Sequence, residues 1–118
     1  SYLRTSLGRC PRTHWEAIVM SWKAGNRTSI HAHPQFAGYY FADGEFQVEI
    51  FEQAGPTALK LANVVRVNGQ EGFAAIGHPG RFDNHIHRIT CLSATAHSLH
   101  VYSDDALRGM TFVRNDSE

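Results

Sequence analysis

The stretch Gly25–His33 reads GNRTSIHAH and ends in two histidines one residue apart, His31 and His33. On an extended strand, side chains alternate between faces, so residues two apart share a face. The spacing therefore predicts that both imidazoles aim into one space while Ala32 points away. Two converging imidazoles are the beginning of a site for Zn, Cu, Fe or Ni. Gly25 and Asn26 mark a turn before the strand, Pro34 ends it, and Gly44 follows the apolar run FAGYYFA.

Outward from this stretch, the chain reads as short strands between turns. Upstream, HWEAIVMSWK (14–23) is rich in β-branched and aromatic residues and predicts a strand. Residues 1–12, SYLRTSLGRCPR, carry no such signal and are expected to form a short helical turn or an irregular N-terminal arm. Downstream, FAGYYFA (36–42) is a strand closed by Asp43-Gly44, a dipeptide typical of hairpins. In EFQVEIFE, Phe46, Val48 and Ile50 fall on one face, with Gln47 and Glu49 on the other, as in a half-buried antiparallel strand. QAGPTALK is a loop, LANVVRV a strand with Asn68-Gly69 as its turn, and EGFAAIG a further strand. After the polar loop HPGRFDN come the strands HIHRITCLS and HSLHVYS, the loop DDALRG and a last strand MTFVR (110–114). Eight or nine short strands with turn signals every 8–12 residues and little helix predict an all-β fold, a small sandwich or barrel. The whole of 1–118 is expected to be a single domain.

Composition narrows the function classes. Hydrophobic residues are 42% and aromatics 11% of 118, enough for a packed core. Lys+Arg and Asp+Glu number 11 each, so no basic stripe points to nucleic acid. The apolar runs are far short of a membrane span. The two cysteines, Cys10 and Cys91, could form one disulfide, but they are too few for a stapled secreted scaffold. They read as reduced thiols of a cytoplasmic protein. The eight histidines are many for this length, and five of them (His78, His85, His87, His97, His100) lie within 23 residues.

A metal needs more than two ligands, and the best third candidate lies in His85-Ile86-His87, whose histidines also share a strand face. Three neutral imidazoles are a relative of the two-histidine, one-carboxylate triad of non-haem Fe(II) oxygenases. A carboxylate would complete the usual barrel site shortly after H-x-H, but Ala37 and Gly38 stand there. Ser98, His100 and Tyr102 are spaced i, i+2, i+4 and form a row that can pass a hydrogen bond along. Other residues invite plainer readings: His14 and His97 as surface or strand-end histidines, His78 as a loop histidine, and Tyr39-Tyr40-Phe41 as core.

Together, WKAGNRTSIHAH, HIHRI and SLHVYS, with YLR near the start and MTF near the end, resemble the thiol dioxygenases of the cysteine dioxygenase type. The G-x5-H-x-H spacing itself resembles the first metal motif of cupin β-barrels. The resemblance implies a cupin (jelly-roll-like) barrel, Fe(II), and oxidation of a small thiol such as L-cysteine by O2 to the sulfinic acid. It implies His31 and His33 as two iron ligands and His87, followed by Arg88 as in the family pattern, as the third. It implies Ser98, His100 and Tyr102 as an outer-sphere row, Trp22 in the same place as a family tryptophan, and Arg4 as the group that binds the substrate carboxylate beside Tyr102. With no cysteine at Ala37 or Gly38, no cysteine–tyrosine cross-link is expected. The expected partners are a small thiol and O2, with no nucleic acid or membrane, in a monomer or homodimer. Two other readings share the histidines: a metal-binding cupin of another class, such as a C–C-cleaving dioxygenase or isomerase, and a non-catalytic small-ligand or sensory cupin.

Overall fold

The computed structural model describes residues 2–56 and 58–113. These form ten strands: β1 (Leu3–Arg9), β2 (Glu16–Lys23), β3 (Ile30–His33), β4 (Phe36–Asp43), β5 (Glu45–Gln53), β6 (Leu59–Asn68), β7 (Glu71–Ile76), β8 (Asn84–Cys91), β9 (Thr95–Tyr102) and β10 (Thr111–Phe112). A single 3₁₀ turn spans Ala106–Arg108. The strands make two five-stranded antiparallel sheets, ordered β1-β2-β9-β4-β7 and β10-β3-β8-β5-β6. Residue 114, at the end of the expected last strand, lies outside the described residues.

Two expectations change. The segment expected as a helical turn or irregular arm is strand β1, paired antiparallel with β2 from Leu3↔Ser21 to Arg9↔Glu16. All of its residues are exposed, so it carries no hydrophobic alternation to read. It is held by the ladder of its neighbour, through a register shift between Ser6 and Gly8. Second, Asp43-Gly44 is not a hairpin turn. It joins β4 of one sheet to β5 of the other. Gly44 has φ +89°, and a Cβ there would stand 2.3 Å from that of Ala96, so the corner needs a residue without a side chain. Asn68-Gly69 is the turn after β6 as expected, and it too carries the chain across the sheets, to β7. Among the described strands, sequence neighbours pair only as β1/β2 and β5/β6. Every other consecutive pair is split between the two sheets, which is what rolls the chain into a two-layered barrel rather than a meander.

The layers meet over Ile18, Trp22, Phe41, Phe46, Val48 and Ile89, all almost fully buried. Trp22 meets Phe46 edge-on at 5.4 Å between ring centres, and Phe41 packs 4.6 Å from Phe46. Each such side chain removed from water contributes roughly 1.5–3 kcal/mol. β5 alternates as expected, with Phe46 and Val48 in this core and Ile50 packed against it. A second, smaller cluster of Ile30, Ala32, Phe51 and Ile86 covers the other face of the β3–β8–β5 sheet. Ala32 therefore points away from the interior, and His31 and His33 point inward, as the period of two requires.

Candidate metal centre

β3 is short and lies between β8 and β10, with His31 opposite His87 and opposite Thr111. This register brings three rings together. Ring centres are 4.6 Å apart for His31–His33, 4.9 Å for His31–His87 and 4.5 Å for His33–His87. One nitrogen from each of the three lies within 4.8 Å of the others, close enough to share an ion. His33 and His87 are fully buried, while His31 is half-buried.

The tautomers are fixed by the backbone. His31 Nδ1–H donates to the Ser29 carbonyl at 2.8 Å. His33 Nδ1–H donates to the carbonyls of Asn84 and His85, each at 3.1 Å. A carbonyl only accepts, so in both residues Nε2 keeps its lone pair, the arrangement that orients metal-binding histidines. Burial holds all three below the usual histidine range, His33 and His87 well below it, with neighbouring imidazoles adding to the effect at His33 and His87 and the Arg4 charge adding to it at His31. They are therefore neutral and ready to ligate at neutral pH.

The donor set fits a metal on one further observation. Among the described residues, the buried side-chain nitrogens and oxygens without a hydrogen-bond partner are His33 Nε2, both ring nitrogens of His87, His85 Nε2 and Tyr39 Oη. All of them belong to one cluster. A buried polar atom left unpaired costs about 1–3 kcal/mol, so their concentration at one spot calls for a partner such as a cation.

His85 does not take the place opposite His33 that an unbroken ladder would give it. The register shifts so that Asn84 stands opposite His33, which leaves an extra residue in β8. His85 adopts φ +51° at this bulge. Asn84 holds the bulge from behind, its Nδ2 donating to the carbonyls of Gln35 (3.1 Å) and Ala75 (2.9 Å). Nothing in the sequence flagged Asn84.

The row on β9 is assembled as the spacing predicts. Trp22 Nε1–H donates to Ser98 Oγ at 2.9 Å. Ser98 Oγ lies 2.7 Å from His100 Nε2, and His100 Nδ1 lies 3.0 Å from Tyr102 Oη. Burial lowers the His100 pKa to about 3, so its ring is neutral and has one donor and one acceptor. With the serine proton given to His100 Nε2, the Nδ1–H goes to Tyr102, whose own O–H is free to donate elsewhere. Burial also raises the Tyr102 pKa, which keeps that proton on the phenol. The Tyr102 ring lies nearly parallel to that of His33 at 5.6 Å.

Strand order brings Arg4 to this row. Arg4 is opposite Met20, and Met20 opposite Ser98, so Arg4 lies two strands away on the same line across the sheet. A pocket of about 160 Å³ opens here, lined by Tyr2, Arg4, His31, His33, His100 and Tyr102 among others. The 3₁₀ turn supplies its outer wall through Ala106 and Leu107, with Gly109 and Thr111 beyond. Gly109 is required by its closeness to β3, since a Cβ there would meet the Ala32 carbonyl oxygen at 1.9 Å. Among the described residues no Asp or Glu lines the pocket.

His14 and His78 are exposed, and His97 is an exposed partner of Asp43 at 3.0 Å, so none of them joins the site. Cys10 is exposed and Cys91 buried, both as free thiols. Tyr39, read as core, is buried as expected, but its ring stands 5.2 Å from His87 and 5.3 Å from His100. Its place in an apolar run gave no hint that its hydroxyl would face the histidines.

No protein-family model and no curated protein matches the chain. Solved structures do match. A cupin 2 domain-containing protein from Halorhodospira halophila is 15% identical with a TM-score of 0.67, over 98% of this chain and 72% of that one. A cupin superfamily protein from Desulfitobacterium hafniense is 14% identical with a TM-score of 0.64, over 89% and 79%. Oxalate oxidase in complex with the substrate analogue glycolate is 15% identical with a TM-score of 0.67, over 93% and 54%. The fold is thus that of the cupins, as the H-x-H spacing leads one to expect.

Proposed function

We propose that the chain is a mononuclear non-haem Fe(II) thiol dioxygenase that oxidises L-cysteine, or a close small thiol, with O2 to the sulfinic acid. The observation that carries this reading is the shared wall of one pocket. Arg4, His31, His33, His100 and Tyr102 line it together, although they come from both sheets and from opposite ends of the sequence. In this reading His31, His33 and His87 hold Fe(II), which when bound supplies a centre where a thiol and O2 can exchange electrons.

The protein's own groups do the rest. Among the described residues Arg4 is the cation that lines the pocket, and its planar guanidinium forks onto a carboxylate better than an ammonium would. No acid among the described residues lines it to repel a carboxylate. Tyr102 offers a phenolic proton at the same wall, held in direction by the Trp22–Ser98–His100 line of hydrogen bonds. The neutral His100 fixes that direction without adding charge. The 3₁₀ turn and β10 line the outer side through Ala106, Leu107 and Thr111, leaving room for a substrate of a few heavy atoms. The thiol loses its proton, and both oxygen atoms end on sulfur, with no further reductant consumed.

A metal-binding cupin of another class would use the histidines but has no need of Arg4 or of the β9 row. A non-catalytic cupin needs neither turnover nor the Tyr102 proton. Oxygen uptake by Fe(II)-loaded protein against cysteine, 3-mercaptopropionate and cysteamine separates these readings. Uptake with the carboxylate-bearing thiols and little with cysteamine is expected. Equal indifference to all three removes the thiol dioxygenase reading. A cytoplasmic location and a monomeric or homodimeric state go with this proposal. Among the described residues no helix is long and apolar enough to cross a membrane.

A further inference from the structure

We infer that Tyr39 is the positioning residue of the third ligand: through one buried water, its hydroxyl holds the nitrogen of His87 that the metal does not take. The inference rests on the metal reading of His31, His33 and His87, and not on the identity of the substrate.

The three histidines are not oriented alike. His31 and His33 each give a ring N–H to backbone carbonyls. His87 has no such bond, and both of its ring nitrogens are buried and unpartnered. An ion takes one of them. The other carries the proton and needs an acceptor, because a ligating histidine is oriented by the bond its second nitrogen makes. The backbone, which serves the other two, supplies none here.

Two free polar groups stand beside it. Tyr39 is 4% exposed, and its ring centre lies 5.2 Å from that of His87. The His85 ring centre lies 4.7 Å from that of His87 and 6.0 Å from that of Tyr39. Tyr39 Oη and His85 Nε2 are buried and unpartnered as well. The other histidines around Tyr39 are engaged. His33 Nδ1 donates to the Asn84 and His85 carbonyls, and the two nitrogens of His100 are taken by Ser98 and Tyr102. No two of the three orphaned groups bond directly, so a bridge is required. A water that accepts from His87 and Tyr39 and donates to His85 Nε2 satisfies all three, and about three bonds are the usual complement of a buried water. None of these residues lines the substrate pocket, so the bridge lies outside the space a substrate would fill.

Tyr39→Phe tests this without turnover, since it keeps the ring and deletes only the hydroxyl. The Co(II) dissociation constant should rise about tenfold, as on losing a hydrogen-bond partner of a ligand. In Co(II)-loaded wild type, each ligating histidine keeps one N–H, seen as a strongly shifted proton resonance in H2O that disappears in D2O. Three are expected. In Tyr39→Phe one of them should move and exchange faster with water, while the two held by backbone carbonyls stay in place. In the metal-free protein the urea midpoint should not rise. A midpoint that rises means that the hydroxyl had no partner to lose, and overturns the inference. So does an unchanged Co(II) affinity, or three resonances that all stay in place. A crystal structure of the wild type with no water within hydrogen-bond distance of both Tyr39 Oη and His87 overturns it whatever the variant does, so a variant that fails to fold leaves the test decisive. No shifted resonance in either protein overturns the metal reading and this inference with it. The expected shifts together with failure to oxidise any thiol support the role of Tyr39 and remove only the thiol dioxygenase reading.

Discussion

The chain contains the same three-residue pattern twice, His31-Ala32-His33 on β3 and His85-Ile86-His87 on β8, and the two copies behave differently. On β3 the strand is regular. Both imidazoles face inward, and the middle residue, Ala32, packs into the outer cluster with Ile30, Phe51 and Ile86. On β8 an extra residue interrupts the ladder between Asn84 and His87, so His87 stands opposite His31 while Asn84 takes the place opposite His33. The bulge delivers two things a regular strand could not. It turns the Asn84 and His85 carbonyls onto His33 Nδ1, fixing that ligand's tautomer. It also sets His85 at the edge of the cluster, near His87 but farther from His33. Identical spacing in sequence therefore gives two inward-facing histidines in one place, and an inner and a flanking histidine in the other.

The sharpest way to break this comparison is metal content. His87→Ala should lose essentially all iron on desalting, as measured by metal analysis, because it removes a ligand from the centre of the cluster. His85→Ala should retain stoichiometric iron under the same treatment. The reverse pattern would make His85 the inner histidine and the assignment of the two copies wrong.

The next effect is on turnover. Tyr102→Phe deletes the proton at the end of the β9 row while leaving the ring beside His33. By analogy with the loss of one preorganised donor, kcat for cysteine should fall about 100-fold or more, equivalent to roughly 2.7–4 kcal/mol. Iron content should not change. A Tyr102→Phe protein with wild-type kcat would leave the row a merely structural feature. Smaller again is Arg4→Gln, which should raise the cysteine KM about tenfold with little change for cysteamine, which has no carboxylate. An unchanged KM removes Arg4 from substrate binding.

A separate effect, on stability and not on turnover, concerns pH and the metal-free protein. Burial holds His33, His87 and His100 neutral in the folded state, His100 down to about pH 3. Once unfolded, the same groups protonate near their ordinary pKa of about 6.5. Below that pH the unfolded chain binds more protons than the folded one, so stability falls as the pH falls. Each histidine held neutral contributes up to about 1.4 kcal/mol per pH unit. Urea midpoints at pH 7.5 and 5.5 should show the loss, and His100→Asn should flatten it. A midpoint that rises on acidification would mean that the cluster is charged.

How much of this was legible depended on whether a residue's role lay in its own spacing. His31, His33, Ser98, His100 and Tyr102 sit on regular strands, so the period of two placed them correctly. β1 was not legible, because every residue from Leu3 to Arg9 is exposed and the strand is made by the ladder of β2. Asp43-Gly44 carried a hairpin's residues but serves a corner, since the need for a positive φ is common to both and only the partner strand tells them apart. The bulge at His85 was equally hidden. It depends on how Asn84 is held by Gln35 and Ala75, and no local pattern encodes that. Tyr39 was read correctly as interior, but an apolar neighbourhood says nothing about where one hydroxyl will point.

The ion pair of Arg9 has a wider consequence. Its guanidinium reaches Glu16 at 3.1 Å and Asp105 at 3.2 Å, so the edge strand that carries Arg4 is fastened to the residue that caps the 3₁₀ turn. The fastening is partly exposed and hence modest in strength. It ties together two sides of one pocket, the strand bearing Arg4 and the turn whose Ala106 and Leu107 line it, so raised ionic strength loosens a link between the two sheets' rims.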